Sequence, residues 1–321
     1  MNEFRIGFLY QRYRLSILLG FILIVLIICT NLSAVFWGDS ITIWKPFSIV
    51  FSNTLPYLPL AFGASYVISC GEIDLSITGL IAFSGMTILL LQSINFPPII
   101  GYLLILLIML SIGILNGMLV SRFKVPSLII TLGVSFLFNG LAYLFNTILQ
   151  NANQSSTLSS NYILPIFKNS LLLDIVIFII LVIVQKTLYW KKHLAVGLNE
   201  ESSILLGLPF TKIKIIAFSI SAVFCYLSTM LLISDFNLGG WSIGSQKGIL
   251  LITIAVSVVG GTRITGGYFQ PINVTLAYIL WESLKHLATV LKIVSSETFE
   301  IALGIFLIII SIISTVRYKI N

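Results

Sequence analysis

Charged side chains are scarce in this chain of 321 residues, in which Asp, Glu, Lys and Arg together make up 9% of the sequence. A soluble domain carries about 25% charged residues, so this sequence cannot cover a water-facing surface. Apolar residues make up 58%, and the mean hydropathy is +1.07. Apolar runs recur along the whole length, and most approach the ~20 residues that a helix needs to cross the hydrocarbon of a bilayer. The composition predicts an all-α, polytopic integral membrane protein without a folded soluble domain.

Reactive side chains are also few, with three cysteines and two histidines. Cys29, Cys70 and Cys225 lie in apolar segments without paired or metal-like spacing, which predicts small buried hydrophobic residues. His193 follows two lysines, and we expect it to be solvated. The chain contains neither an H-E-x-x-H motif nor a G-x-x-x-x-G-K-[S/T] phosphate loop. We therefore expect no enzyme and no metal or cofactor site on this chain.

The apolar runs predict ten membrane-spanning helices. The first run is longer than the apolar part of a signal peptide and has no small-x-small cleavage site after it, so we expect it to be retained. Two runs look short or interrupted, Leu55–Cys70 with its two prolines and Ile249–Thr262 between glycine-rich stretches. Such segments often line the central cavity of a transporter. The predicted spans are Leu15–Phe36, Leu55–Cys70, Leu75–Gln92, Ile99–Ser121, Ser127–Leu149, Leu171–Lys186, Ile213–Ser234, Ile249–Thr262, Tyr268–Leu287 and Phe299–Val316.

The basic residues are distributed unevenly between the two sides of this predicted topology. If the N-terminus is cytosolic, 13 of the 18 lysines and arginines fall in cytosolic segments. A positive-inside bias of this kind sets the orientation of a membrane protein. We therefore predict that both termini face the cytosol. The net charge of +7 is then a signal of topology, and it gives no support for binding to nucleic acid.

The most informative polar segment runs from Ala195 to Lys214, with the sequence AVGLNEESSILLGLPFTKIK. Asn199 is a good N-cap, and Glu200 and Glu201 would then occupy the first turn, where negative charge is favourable. The Gly207-Leu208-Pro209 sequence would stop the helix. The pattern predicts a short cytosolic helix that exposes leucines, suited to docking in a cleft of another protein. The alternative is an amphipathic connector that rests on the lipid surface.

Four segments give the chain a resemblance to a known family, and along the chain they keep that family's order and spacing. The Asn199-Glu200 pair with Gly207, Lys212 and Lys214 resembles the coupling loop of ABC-importer permeases, and more narrowly of the ribose-type, simple-sugar branch. The Gly71–Ser76 segment is similar to the G-x-I-D-L-S of that branch. The stretch Ile130–Gly133, followed by Asn139–Tyr143, resembles its (V/I)-T-L-G…R-G-(L/V). The stretch Val259–Thr262, followed by Thr265–Gly267, resembles its (V/I)-G-G-T-x-x-x-G-G turn.

The resemblance covers roughly residues 45–316 and implies a single permease domain over residues 1–321 with a coupling loop at about 190–214. It implies a multi-pass protein of the bacterial inner membrane, paired with a second permease copy or a sister permease. A cytosolic ABC ATPase, which would hold the ATP and Mg, and a periplasmic or extracellular substrate-binding protein are the further expected partners. The residues expected to couple to the ATPase are Gly197, Asn199, Glu200, Glu201, Leu205 and Gly207.

The same resemblance places other residues near a translocation pathway or gate. These are Glu72, Asp74, Ser76, Thr131, Gly133, Gly260, Gly261 and Thr262. Two alternatives remain open at this point. Asp74 is expected to cap the third span, with or without a role in the pathway, and Gly260-Gly261 is either a tight hairpin or a moving gate. Glu282, Lys285 and His286 share one helix face and are interpreted as an interfacial cluster, with proton coupling as the sharper alternative.

The predicted function is import of a monosaccharide or a similar small polar solute. The chain departs from the sugar branch at Asn139, where the branch often has arginine, and at Tyr268-Phe269 after the second Gly-Gly. A nucleoside, a furanosyl signalling molecule and a branched-chain amino acid therefore remain alternatives. An ion-coupled secondary transporter is less favoured, because such proteins carry ionisable residues deep within their spans. An intramembrane enzyme is disfavoured by the missing catalytic motifs.

Overall fold

A computed structural model describes residues 44–152, 157–159, 162–236 and 248–290, together with parts of 19–31. Every regular element within these ranges is a helix. Two of the helices are short 3-10 segments, Leu55–Tyr57 and Pro165–Lys168. The α-helices are α1 (Trp44–Thr54), α2 (Leu58–Ser69), α3 (Ile77–Ser93), α4 (Pro98–Ser121), α5 (Ser127–Asn151), α6 (Ser170–Gln185), α7 (Leu188–Leu198), α8 (Glu200–Leu205), α9 (Phe210–Phe236), α10 (Ile249–Val259) and α11 (Pro271–Val290).

Eight of the ten predicted spans coincide with helices, and most of their ends agree to within a few residues. Among the described helices, three are long and apolar enough to cross a membrane individually, namely α4, α5 and α9. The pair α6 and α7 passes the same test together, although the two helices bend by 80° at their junction. Phe299–Val316 lies outside the described residues, and Leu15–Phe36 lies largely outside them. The chain is a polytopic helical membrane protein, and the count of ten spans stays a prediction.

The predicted short spans are short helices in the structure. Helix α2 has 12 residues and α10 has 11, which at about 1.5 Å per residue is much less than the thickness of the hydrocarbon. Between α2 and α3 the chain is non-helical from Cys70 to Ser76. Residues Gly71–Ser76 are called the break segment below. It interrupts the apolar helices and itself carries two carboxylates, Glu72 and Asp74.

The chain divides into two compact units, which are described separately. The larger unit comprises residues 55–254 and 262–271. Helix α9 is central to it, because α9 packs against α2, α3 and α4, while α3 packs against α5. Every residue of α2 is buried, as expected for a short helix that is apolar on all sides. Helix α9 approaches α4 closely at Gly117, where a Cβ atom would lie 2.5 Å from the Cα of Ile215.

The smaller unit comprises residues 1–54, 255–261 and 272–321. Within its described part, Leu19, Leu26 and Leu280 form a buried apolar cluster. Gly260 packs against α11, where a Cβ would lie 2.8 Å from the Cα of Val274. Small residues at such positions let membrane helices approach closely. Gly260 is therefore a helix-packing residue in this unit.

Candidate coupling site

The predicted cytosolic helix is present as α8, Glu200–Leu205, and is called the docking helix below. The side-chain oxygen of Asn199 accepts a hydrogen bond from the backbone N–H of Ser202 at 2.8 Å, which confirms Asn199 as the N-cap. Glu200 and Glu201 occupy the first turn. Gly207 adopts a φ of +69°, a conformation that glycine reaches without strain. The helix therefore begins and ends where its sequence predicts.

The apolar side chains of the docking helix face outward. Leu205 is 88% exposed and Leu206 is 77% exposed, and Ile204 is also exposed. Glu201 is exposed, whereas the hydroxyl of Ser203 is turned inward onto the carbonyl oxygens of Ala195 and Asn199. A short capped helix with exposed leucines at its end is a rigid apolar projection, suited to binding in a groove on another protein.

The segment before the docking helix is a second helix, α7, which the sequence analysis did not predict. The hydroxyl of Thr187 caps it by accepting from the backbone N–H of Trp190. The expectation of a solvated His193 is wrong, because this side chain is fully buried. Its ring stacks on Trp190 at 5.4 Å, and its Nε2 lies 2.9 Å from the hydroxyl of Ser69. The two preceding lysines are exposed, whereas His193 lies on the opposite, buried face of α7.

Helix α7 and the end of α2 meet a third segment at Gly197. The backbone N–H of Gly267 donates to the carbonyl oxygen of Ser69 at 2.8 Å. Gly197 lies between these two segments, and a Cβ built on it would overlap the Ser69 carbonyl and approach the Gly267 nitrogen to 2.9 Å. Only glycine leaves room for this three-way contact. Gly197 therefore lies in a buried junction, away from the exposed tip of the docking helix.

Four charged side chains connect the docking helix to the break segment. The ammonium group of Lys214 pairs with Oε1 of Glu72 at 2.6 Å and with Oε2 of Glu200. The other oxygen of Glu200 pairs with the ammonium of Lys124 at 2.6 Å. Lys214 is only 7% exposed, whereas Lys124 is 59% exposed. Lys124, Glu200, Lys214 and Glu72 are called the charge network below, and their formal charges cancel.

The charge network changes the acidity of Glu200, which lies on the docking helix outside the membrane spans. Burial raises the pKa of this carboxyl, but the hydrogen bonds from Lys124 and Lys214 and their positive charges outweigh that effect. The pKa of Glu200 is therefore lowered from its ordinary value of 4.5. Glu200 stays ionised at neutral pH, as its place between two cations requires.

Two backbone N–H groups of the break segment donate to hydroxyl groups of α5. The N–H of Leu75 donates to Oγ1 of Thr131 at 3.0 Å, and the N–H of Ile73 donates to Oγ of Ser127 at 3.4 Å. Irregular backbone at membrane depth needs such partners within the protein. Thr131 is thus placed against the break segment, as its predicted role beside a pathway requires, although that role itself stays a prediction.

Asp74 does not cap α3, which corrects the expectation from the sequence. The N-cap of α3 is Ser76, and that residue makes no side-chain capping bond. The Oδ1 atom of Asp74 accepts from both the backbone N–H and the hydroxyl of Ser76, at 2.9 and 2.5 Å. Its Oδ2 atom accepts from the hydroxyl of Ser221 on α9 at 2.7 Å. The carboxylate therefore ties the break segment to the central helix and is buried.

The other predicted pathway residues are not all in one place. Gly133 is exposed on α5, and a Cβ there would meet no atom within 4 Å. Thr262 is buried and belongs to the larger unit, while Gly260 and Gly261 belong to the smaller one. Gly261, the second residue after α10, has a φ of +86°, as expected for a tight turn. The structure thus brings Glu72, Asp74, Ser76 and Thr131 together, whereas Gly133 faces away from them.

The predicted cluster on α11 is partly formed. The ammonium of Lys285 lies 3.6 Å from Oε1 of Glu282, and Glu282 is only 4% exposed. Lys285 itself is exposed and His286 is half-buried. The two cysteines in the described ranges, Cys70 and Cys225, are buried as predicted, and Cys29 lies outside those ranges. Among described residues, no group of three or more His, Cys, Asp or Glu side chains could hold a metal ion.

Sequence reasoning missed the partners that connect these segments. Lys124 was counted only as a topology signal, Lys214 was placed in the coupling loop without a partner, and Ser221 was not considered. One signal was available, since a carboxylate next to the membrane needs a cation or several donors, and Glu72 and Asp74 had none nearby in sequence. The partner could not be chosen, because Glu72 and Lys214 are 142 residues apart.

Comparison with known proteins identifies relatives of this chain. The model of a family described as "Branched-chain amino acid transport system / permease component" matches residues 46–311. The L-arabinose ABC transporter permease protein AraH of Azospirillum brasilense is 28% identical over 258 residues, covering 78% of this chain and 74% of the relative. No solved structure matches this chain.

Two further relatives extend the same comparison. The ribose import permease protein RbsC of Bacillus subtilis is 25% identical over 236 residues, which cover 71% of each chain. The xylose/arabinose import permease protein XylH of Sulfolobus acidocaldarius is 28% identical over 317 residues, which cover 95% of this chain and 85% of the relative. The similarity to permeases thus includes the break segment, the docking helix and all the helices α2–α11.

Proposed function

The chain belongs to the permease-component family of the branched-chain amino acid transport systems, and we propose that it is the membrane-spanning subunit of an ATP-driven importer for a monosaccharide. As a permease subunit, it supplies the route across the membrane and is not itself an enzyme. Its expected location is the bacterial inner membrane, with ten spans and both termini in the cytosol. ATP and Mg would be held by a separate cytosolic ABC ATPase.

The observation that carries this proposal is the docking helix. It is capped at Asn199, stopped at Gly207 and exposes Leu205 at its tip. A helix on lipid would be expected to present a broader apolar face with basic residues beside it, whereas this helix begins with two glutamates. Binding of this helix in a cleft of the ATPase accounts for both the exposed leucine and the acidic first turn.

The expected coupling residues divide into contact and support groups. Leu205 and Glu201 are exposed and would contact the ATPase. Asn199 and Gly207 fix the two ends of the docking helix. Gly197 is buried, so it would contribute by holding α7 against Ser69 and Gly267.

The pathway is proposed to pass the break segment. Polar helix ends meet there, and discontinuous helices of this kind commonly border the substrate route of transporters. Asp74 and Thr131 hold the break segment in place from two sides. A second permease copy or a sister permease would complete the pathway, and an external binding protein would deliver the solute.

A monosaccharide is the favoured substrate class because the relatives compared above carry the names of L-arabinose, ribose and xylose/arabinose permeases. For the present chain we propose this substrate class without choosing a particular sugar. In such importers the binding protein is expected to make most of the selection. A nucleoside, a furanosyl signalling molecule and a branched-chain amino acid are outcomes to be tested against it.

The test is purification of the chain from its native membrane in mild detergent, followed by mass spectrometry and by reconstitution in vesicles. We expect a near-stoichiometric partner with a phosphate-binding loop, and ATP-dependent uptake of at least one radiolabelled pentose or hexose. A chain that purifies without such a partner, or that exchanges solute in vesicles without ATP, would contradict the proposal.

A further inference from the structure

We propose that Lys214 is a positioning residue through which movement of the docking helix reaches the break segment. This inference rests on the proposed function, since it assumes that an ATPase moves the docking helix. The ammonium group of Lys214 is shared between Glu200, the first residue of the docking helix, and Glu72, in the break segment. One buried cation therefore contacts both of the parts that must move together.

The carboxylates of Glu72 and Glu200 depend on this cation to stay close. With Lys214 in place each carboxylate has an oxygen within pairing distance of the same ammonium group. Without it, no cation would lie between the two carboxylates, because Lys124 pairs with Glu200 and not with Glu72. The two like charges would then repel each other, and water would screen that repulsion only in part, since Glu72 is 16% and Glu200 30% exposed. A displacement of Glu200 therefore changes the force on Glu72 through Lys214.

The break segment is built to pass such a displacement onward. Its backbone is non-helical, so its φ and ψ angles can change without disrupting a helical ladder. Two residues after Glu72, the carboxylate of Asp74 is bonded to Ser221, and the next N–H is bonded to Thr131. A shift at Glu72 is thus transmitted to the start of α3 and to its contacts with α5 and α9.

A separate contact, between α7 and α2, holds the start of the docking helix in place. Gly197 and His193 hold α7 against Ser69, at the other end of the gap between α2 and α3. This contact is uncharged and tightly packed, and therefore suited to act as a pivot. The ionic contact at Lys214, which can lengthen without steric penalty, is the one suited to respond.

The experiment compares Lys214→Met with the double variant Glu72→Gln/Lys214→Met in the assembled complex with its ATPase. The double variant removes one charge of each sign and leaves the balanced pair of Lys124 and Glu200. It therefore separates a need for charge balance from a need for the connection itself. Lys186→Met is the control, because Lys186 is exposed and lies outside both the coupling loop and the charge network.

Three readouts are taken: retention of the ATPase on purification, ATP hydrolysis, and the ATP-dependent change in the labelling rate of a cysteine introduced at Ile73. The last readout needs no substrate, and uptake of radiolabelled L-arabinose and D-ribose is measured beside it. Both Lys214 variants are expected to keep the ATPase bound and active while the ATP-dependent labelling change falls by at least about tenfold, the scale of a typical coupling free energy. The Lys186 variant is expected to behave as the wild type.

The inference is overturned if the double variant shows the wild-type response, because Lys214 would then serve charge balance alone. Lys214→Arg keeps a cation between the carboxylates and is expected to retain the response. Loss of the ATP-dependent labelling change in a Lys214→Arg complex that still binds the ATPase would also overturn the inference. This second test decides the matter even if neither methionine variant inserts. Absence of any ATPase from the wild-type complex would instead contradict the proposed function.

Discussion

At the scale of single residues, Glu200 and Glu201 form a natural comparison, because two adjacent carboxylates of one helix have different surroundings. Glu200 lies between two ammonium groups, whereas Glu201 is exposed. We expect Glu200→Gln to lower the free energy of unfolding by about 1–2 kcal/mol, since it removes a charged acceptor of two hydrogen bonds. Glu201→Gln should leave it nearly unchanged. Thermal unfolding of the purified protein in detergent measures the difference, and equal effects would contradict the assigned pairing.

The lowered pKa of Glu200 gives this residue a pH signature. Because its pKa in the folded state is below the ordinary value of 4.5, its contribution to stability is complete above that value and is lost as the pH falls through the folded-state pKa. The wild type should therefore lose stability on acidification below about pH 4.5 more steeply than Glu200→Gln. Unfolding midpoints measured across this range for both proteins test the sign, and parallel curves would contradict it.

Gly197 tests the buried junction at the same scale. We expect Gly197→Ala to destabilise the protein by about 2–3 kcal/mol, because the new methyl group overlaps the Ser69 carbonyl and the backbone cannot easily retreat. Gly140→Ala is the control, since a Cβ at Gly140 meets no atom within 4 Å and alanine favours a helix. Unfolding measurements should separate the two variants, and a harmless Gly197→Ala would show that the junction is looser than described.

At the scale of elements, the caps of two helices can be compared. Asn199 caps the docking helix and Asn169 caps α6, each by accepting a backbone N–H three residues ahead. Replacing either with alanine should cost about 1 kcal/mol of local helix stability. Only Asn199→Ala should also weaken binding of the ATPase, measured as its affinity for the permease in detergent. Equal weakening by Asn169→Ala would contradict the assignment of the docking helix.

The docking helix was predictable from its sequence because its determinants are local. Asn199, the two glutamates and Gly207 act on backbone groups within a few residues, and the helix forms between them as expected. Helix α7 and the burial of His193 were missed, since the neighbouring lysines gave the segment a polar character. The partners of His193 on α2 lie more than 100 residues away in sequence. The N-cap of α3 was also not predictable, and it is Ser76 instead of Asp74. The carboxylate of Asp74 is bound by Ser221, which lies 147 residues away in the sequence.

At the scale of the whole molecule, the composition and the apolar runs were sufficient to predict a polytopic helical protein. The positions of most described helices follow from the lengths of those runs. The charge network was not predictable, since Glu72 lies 142 residues from Lys214 and Lys124 lies 76 residues from Glu200. The sidedness of the chain stays a prediction, and it places the docking helix in the cytosol.

Two introduced cysteines test that sidedness. Ser202 lies on the docking helix. Ser159 is exposed between α5 and α6, in the loop between the fifth and sixth predicted spans, which a cytosolic N-terminus places outside. The positive-inside bias predicts that cysteines at these positions are labelled by an impermeant thiol reagent from opposite sides of the membrane. Labelling of intact and of permeabilised cells makes the comparison. Access from the same side would contradict the predicted topology and the role of the docking helix with it.

The most direct test of the account is a photo-crosslinking amino acid placed at Leu205 in the native membrane. Leu188, which is 73% exposed at the start of α7, is the control position. We predict that the probe at position 205 crosslinks to a protein with an ATP-binding phosphate loop, and that the probe at position 188 does not. Crosslinks from position 205 to lipid alone would contradict the proposal that an ATPase drives transport through the docking helix.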